Sequence, residues 1–245
     1  MALAIKLQQK LPRELRDLIY TFYLASNPID WYRVLYNTYW NTASFRTWAY
    51  LPHFILPEYS GIGIARELGQ VAFQVEKFVL YEHVGILQLQ HTLTYDHLSL
   101  GLVPAECIRE IKIVFDSGSL ECIDCEEENQ KLDRVKENLE ALKRVRVLRK
   151  FKLELIFEGN TALVAIVYVL HMLLPVYFEL KEGGAKIMVI YRRRVKGQSD
   201  RVVLDIGAVL EHPKEEWRSR ILDLCRAIGP LSPKEISWAQ KVWSE

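Results

Sequence analysis

Two strand-like segments separated by one long apolar run decide the fold: FKLELIF at residues 151–157 and KIMVIY at residues 186–191. Short runs rich in apolar and β-branched residues are typical of buried strands. The apolar run at residues 161–180 predicts a buried helix, and Gly183-Gly184 predicts a turn into the second strand. Because this crossover is long, the two segments predict a parallel pair of strands with a right-handed connection.

The neighbouring segments extend this pattern. IREIKIVF at residues 108–115 alternates like a strand, and residues 126–147 predict a helix whose early acidic and late basic residues suit the helix dipole. The strand starts are about 40 and then about 35 residues apart, which lies within the range of solenoid repeats. An irregular leucine-rich-repeat-like arrangement and a plain α/β sheet both fit. Two more helices are expected at residues 214–228 and 232–243, which completes an α/β half over residues 106–245.

The preceding segment, residues 1–105, is predicted to be helical and rich in aromatic residues. A helix is expected at residues 11–24, with Pro12 at its first position and Asn27-Pro28 after its end. Its apolar residues follow the period of a helix and form one stripe: Leu11, Leu15, Leu18, Ile19 and Phe22. The predicted fold class is therefore α+β, a helical segment followed by a parallel βαβαβ half, and one continuous domain would also accommodate it.

Two other features belong to this helical segment. A second helix is predicted at residues 60–72, with Ser60 as its N-cap. Nine aromatic residues fall between residues 31 and 57, where few charges accompany them and no further helix is obvious. They favour two interpretations: large rings that cover a core beneath a long connection, or a surface that binds a partner, since aromatic residues are enriched at interfaces.

Composition excludes some classes of protein. The chain has 245 residues, with 32 Lys and Arg against 31 Asp and Glu. A balance this close to neutral argues against a dedicated nucleic-acid binder, which usually carries a basic surface. The first ten residues lack the pattern of a signal peptide, so we expect four reduced cysteines and a cytoplasmic or nuclear location.

One apolar run resembles a membrane span in composition alone. Residues 163–178 are shorter than the roughly 20 residues that a bilayer requires, and they include His171 and Pro175. The run therefore predicts a buried helix and no membrane association.

Motifs that carry chemistry are incomplete. Cys122 and Cys125 have the spacing of a zinc half-site, but only Cys107 and His97 stand near them as further ligands, and zinc prefers four. Asp96 beside His97 lacks a nucleophile, and no phosphate-binding loop or nucleophile elbow is present. We therefore predict no enzymatic activity, no metal and no cofactor.

A basic cluster ends the last predicted strand. Its members are Arg192, Arg193, Arg194 and Lys196. Such a cluster can contact phosphates or an acidic partner, whereas the following Gly197 favours a solvated strand end and a turn.

The run LPRELRDLIY at residues 11–20 resembles the opening of the fungal F-box-like proteins. Residues 57–67 and 100–111 also look like segments of that group. The resemblance implies docking onto the Skp adaptor of a cullin ubiquitin ligase, while the rest of the chain selects a target. The residues that it implies would face the adaptor are Leu11, Pro12, Leu15, Ile19 and Leu24.

The sequence therefore predicts a protein–protein interaction module that is F-box-like. An amphipathic helix that lays its apolar residues into a partner's groove is a common mode of recognition. The alternative hypothesis is a scaffold or effector-like binding protein outside any ligase, in which the same helix is part of the core.

Overall fold

The computed structural model describes residues 2–40, 51–81, 88–115, 126–158, 163–194 and 201–213, together with Glu216, Trp217, Ser219, Arg220 and Asp223. Every structural statement below refers to these residues. The predicted C-terminal helices, the pair Cys122 and Cys125, and Lys196 lie wholly or mostly outside them.

Nine helices are assigned in the described part of the chain. They are α1 (Ala2–Lys10), α2 (Arg13–Ser26), α3 (Trp31–Trp40), α4 (Pro57–Ser60), α5 (Ile62–Val75), α6 (Leu89–Thr94), α7 (Pro104–Cys107), α8 (Glu126–Glu140) and α9 (Leu163–Glu182). Short 3-10 turns occur at His53–Ile55, Ala141–Arg144, Leu148–Lys150 and Gly207–Glu211.

A five-stranded, mostly parallel sheet gives the chain its mixed α/β character. Its strands lie side by side in chain order: β1 (Phe78–Tyr81), β2 (Glu110–Phe115), β3 (Lys152–Glu158), β4 (Lys186–Arg194) and β5 (Arg201–Asp205). The predicted parallel pair is confirmed, with Leu153 beside Ile187 and Phe157 beside Tyr191.

Apolar side chains on one face of the sheet account for this arrangement. Leu153, Leu155 and Phe157 alternate along β3 and are fully buried. The rings of Phe115 and Phe157 stack with their centroids 4.8 Å apart, which matches the spacing of adjacent strands. The two rings therefore belong to the same apolar face.

Helix α9 makes the crossover between β3 and β4. Ile166, Val169, Leu170 and Leu173 are buried, as the apolar run predicts. Gly184, at φ +89°, then turns the chain into β4 with a backbone conformation that other residues rarely adopt. Among the described residues, no helix is both long enough and apolar enough to cross a membrane.

The chain divides into two compact units, and both are assembled from separate stretches. Unit 1 comprises the described residues within Met1–Phe78, His91–Glu110 and Arg144–Val147. Unit 2 comprises those within Val79–Gln90, Ile111–Lys143 and Leu148–Glu245. Unit 1 is mainly helical, and unit 2 contains most of the sheet and the long helices α8 and α9.

Two expectations about unit 1 need correction. Residues 31–40 form helix α3, whereas the sequence suggested a connection there, and Trp31 packs against Phe73 and Phe78 with ring centroids 4.9 and 4.7 Å apart. Ser60 is not the N-cap of the next helix. Its hydroxyl is buried and donates to the Phe54 carbonyl at 2.8 Å, and Gly61, at φ +83°, precedes the first residue of α5.

The end of β4 also differs from the prediction. The strand continues through Arg194, so the three arginines expected at a turn lie within β4. Strand β5, for which no sequence pattern was evident, pairs with this extension in the antiparallel direction. At Arg192, β4 is therefore paired with β3 on one side and with β5 on the other.

Candidate functional site

Helix α2 exposes an apolar face that we call the outer stripe. It consists of Leu15, Leu18, Ile19 and Phe22, which are 47, 56, 42 and 74% exposed. The spacing of i, i+3, i+4 and i+7 places the four side chains on one side of a helix. Soluble proteins normally bury such a stripe, so a cluster of exposed leucine, isoleucine and phenylalanine is informative.

The opposite side of α2 packs on α5 largely through polar groups. Arg16 donates from Nε and Nη2 to the two carboxylate oxygens of Glu67, at 2.9 and 2.8 Å. The buried Tyr20 donates its hydroxyl to the same carboxylate at 3.0 Å. We call Arg16, Tyr20 and Glu67 the inner cluster. Helix α2 of unit 1 thus turns its polar side toward α5 and its apolar side outward.

Further bonds hold the start of α2. Arg13 donates to Asp17 at 2.6 Å and to Gln70 on α5 at 3.1 Å. The Nη1 atom of Arg16 reaches the carbonyl of Leu11 at 2.5 Å. Because these groups lie at the N-terminal end of α2, they fix the direction in which the helix leaves Pro12.

The inner cluster changes the acidity of its members. Burial, reinforced by the hydrogen bond to Glu67, raises the pKa of Tyr20 to about 12. Burial alone would also raise the pKa of Glu67, but the hydrogen bonds from Arg16 and Tyr20 and the charge of Arg16 lower it below its usual value. Glu67 is therefore an anion, and Tyr20 a neutral donor, at neutral pH.

The predicted partner residues separate into different environments. Leu15 and Ile19 lie in the outer stripe, Pro12 is exposed, and Leu11 is half-buried. Leu24 is 1% exposed and belongs to the core of unit 1, so it is not available at the surface. Leu18 and Phe22 were part of the predicted helical stripe but not of the predicted partner set, and they are the most exposed members of the outer stripe.

One aromatic side chain lies next to this helix. The ring of Phe54 packs at a tilt against that of Tyr23, one turn beyond Ile19, with centroids 5.1 Å apart. Phe54 is 46% exposed. It extends the apolar surface from α2 onto the 3-10 turn at His53–Ile55.

The three segments on which the family resemblance rests meet around α5. Glu67 binds Arg16 and Tyr20 of the first segment, and Arg66 donates to the carbonyl of Gly101 at 3.3 Å. The Leu98–Leu102 loop packs closely over Gly69, where an added Cβ would lie 2.9 Å from Leu102. The segments are thus parts of one structural unit.

The basic cluster is partly neutralised within the sheet. Arg192 lies 3.5 Å from the carboxylate of Glu158 and 3.9 Å from that of Glu154, both on the neighbouring strand β3. Arg193 and Arg194 also belong to β4, and Lys196 lies outside the described residues. The arrangement therefore assigns Arg192 to cross-strand ion pairing.

The residues considered for catalysis and metal binding include Asp96, His97 and Cys107, and each is buried, half-buried or bonded within its own loop. Asp96 accepts from the backbone N–H groups of Leu100 and Gly101, at 3.1 and 2.6 Å, and so closes its own loop. His97 is buried. Burial, with the charge of Glu106, raises the pKa of the half-buried Cys107, which makes it a poor nucleophile. No group of three or more metal-binding side chains occurs in the described part of the chain.

The chain was compared with models of protein families, with curated proteins and with solved structures, and none of the three comparisons gave a match.

Proposed function

We propose that this chain is a protein–protein interaction module whose outer stripe docks into an apolar groove of a partner protein. The observation that carries the proposal is the orientation of α2. Leu15, Leu18, Ile19 and Phe22 face outward, while Arg16 and Tyr20 are bound to Glu67 on the inward side. A helix presented in this way fits the helix-in-groove mode of recognition.

The extent of the surface supports a protein partner. Full burial of a large apolar side chain contributes about 1.5–3 kcal/mol, so four side chains that are between 42 and 74% exposed contribute roughly 1 kcal/mol or more each when covered. Association also costs several kcal/mol of lost freedom. The outer stripe therefore needs additional contacts, and Phe54 beside Tyr23 provides a second anchor on the same unit.

The family resemblance names a partner class for this docking. We propose the Skp adaptor of a cullin ubiquitin ligase as the partner, with the α/β half selecting the target. The predicted adaptor-facing residues Leu11, Pro12, Leu15 and Ile19 are then joined by Leu18 and Phe22, and the buried Leu24 leaves the set. The sequential order of the strands is compatible with the leucine-rich-repeat-like arrangement and with a plain sheet, so the finer fold stays a prediction.

Calorimetric titration with a purified Skp adaptor tests the proposal. The wild-type chain is expected to bind, and Leu15→Asp with Ile19→Asp is expected to abolish binding because two carboxylates would enter an apolar groove. Ile62→Asp is the matched control, since Ile62 is 59% exposed in the same unit but lies on α5. If the wild-type chain does not bind, the ligase function is wrong.

A thermal melt of the same double variant separates the two functional hypotheses. Exposed side chains contribute little to folding, so the double variant should melt within a few degrees of the wild type. A collapse of the melting temperature would favour the scaffold hypothesis, in which this helix belongs to the core.

A further inference from the structure

The rotation of α2 about its own axis is the unexpected feature of unit 1. The hydrophobic effect alone favours the opposite orientation, with Leu15, Leu18 and Phe22 turned toward α5. Only Tyr20 and Leu24 of α2 are buried, and Tyr20 is anchored through its hydroxyl. Polar contacts must therefore decide which side of the helix faces outward.

Glu67 lies at the centre of those contacts. Its side chain is 16% exposed and accepts two hydrogen bonds from Arg16 and one from Tyr20. Arg13 adds a charge 3.9 Å away. If α2 turned its apolar side inward, this carboxylate would lose every one of these donors while still largely shielded from water, which is unfavourable for an anion.

We infer that Glu67 is a positioning residue that holds the outer stripe outward for the partner. The inference deepens the proposed function and rests on it for its biological meaning. Glu67 lies on α5, outside the outer stripe, so it acts through Arg16 and Tyr20. Without the carboxylate, the gain from covering four apolar side chains is no longer opposed, and α2 loses its outward orientation.

Hydroxyl-radical footprinting tests the orientation without any partner. In the wild type, Phe22 is 74% exposed and Tyr20 is 4% exposed, so Phe22 should be labelled far more strongly than Tyr20 relative to their intrinsic reactivities. In Glu67→Leu, the ratio of Phe22 to Tyr20 labelling is expected to fall by at least about twofold, because three hydrogen bonds to the carboxylate are lost. A ratio that changes less than this overturns the inference.

Two further variants keep the test decisive. Glu67→Gln retains an acceptor for Tyr20 and serves if Glu67→Leu does not fold. Its ratio should fall in the same direction, and an unchanged ratio counts against the inference. The swap of Arg16→Glu with Glu67→Arg should restore the wild-type ratio, which a loss of general packing would not do.

The control is Glu110→Leu, which removes the ion pair with Lys77 at 2.9 Å in the same unit and should leave α2 unchanged.

Calorimetry with the Skp adaptor then separates this inference from the proposed function. An adaptor that binds the wild type should bind Glu67→Leu at least about tenfold more weakly, although Glu67 lies outside the docking surface. If the labelling ratio falls but the wild type binds no adaptor, the positioning role stands and the ligase function fails. If the wild type binds the adaptor and Glu67→Leu binds it equally tightly, the positioning role is wrong.

Discussion

The hydroxyl of Thr38 lies 2.7 Å from Nδ1 of His97, and this contact assigns the protonation of a buried imidazole. Nε2 of His97 lies 3.2 Å from the carbonyl of Thr92, which can only accept, so Nε2 carries the proton. Nδ1 therefore carries no proton and can only accept, and it faces the Thr38 hydroxyl, which also lies 2.9 Å from the carbonyl of Val34. The neutral ring thus links α3 to the loop that follows α6 within unit 1.

Unit 1 should lose stability in acid because of His97. Burial, with the nearby His91, lowers the pKa of His97 from 6.5 to about 4, despite the opposite influence of Asp96. The unfolded chain then binds a proton below pH 6.5 that the folded chain does not, so stability falls as the pH drops from 6.5 toward 4. The loss is on the order of 3 kcal/mol by linkage.

Urea unfolding at pH 7.5, 5.5 and 4.5 measures this loss. His97→Gln removes the titrating ring while it keeps a side chain that can donate near Thr92, so its stability should depend less steeply on pH over this interval. Asp96 and His91 remain in both chains and cancel in the comparison. Equal pH slopes for the two chains would exclude His97 as the source.

Substitutions on the two sides of α2 should differ strongly in their effect on stability. Leu24→Ala removes a buried side chain and should cost about 2–5 kcal/mol in the free energy of unfolding. Phe22→Ala shortens a larger side chain that is mostly in water and should change stability by less than about 0.5 kcal/mol. Chemical denaturation at pH 7.5 compares them. A large loss for Phe22→Ala would mean that the outer stripe is covered within the protein.

Two glycines of α5 provide a matched pair. A Cβ on Gly69 would lie 2.9, 3.1 and 3.1 Å from the methyl carbons of Leu102, Leu100 and Leu98, so Gly69→Ala should cost about 1–3 kcal/mol through overpacking. The three atoms nearest to a Cβ on Gly63 belong to the flexible end of Gln8, which can move aside. Gly63→Ala should therefore gain up to about 1 kcal/mol from helix propensity. Thermal melts of the two variants should shift in opposite directions.

The regular part of the sheet could be predicted because the signal is local. Along β3, three residues on one face are apolar, and the glycine pair after α9 marks the turn into β4. The end of β4 gave no such signal. Arg192 looks like a solvated residue until Glu154 and Glu158, more than thirty positions earlier, are placed beside it on β3.

The orientation of α2 could not be read from the sequence for a related reason. The helical period places Leu15 and Phe22 on one side, but it does not say which side faces the protein. That depends on Glu67, which is 51 positions from Arg16 and has no special pattern around it. The predicted partner set therefore included Leu24, which is apolar but lies on the inward side.

The interleaving of the two units has a consequence for synthesis on the ribosome. The backbone N–H of Arg146 donates to the carbonyl of Ala105 at 2.9 Å, and both residues belong to unit 1. Translation must therefore proceed through residue 147 before unit 1 has all its parts. By then β2 and α8 of unit 2 have already been synthesised, so the nascent chain cannot finish one unit before it starts the other. A fragment that stops at residue 110 would lack this closing bond.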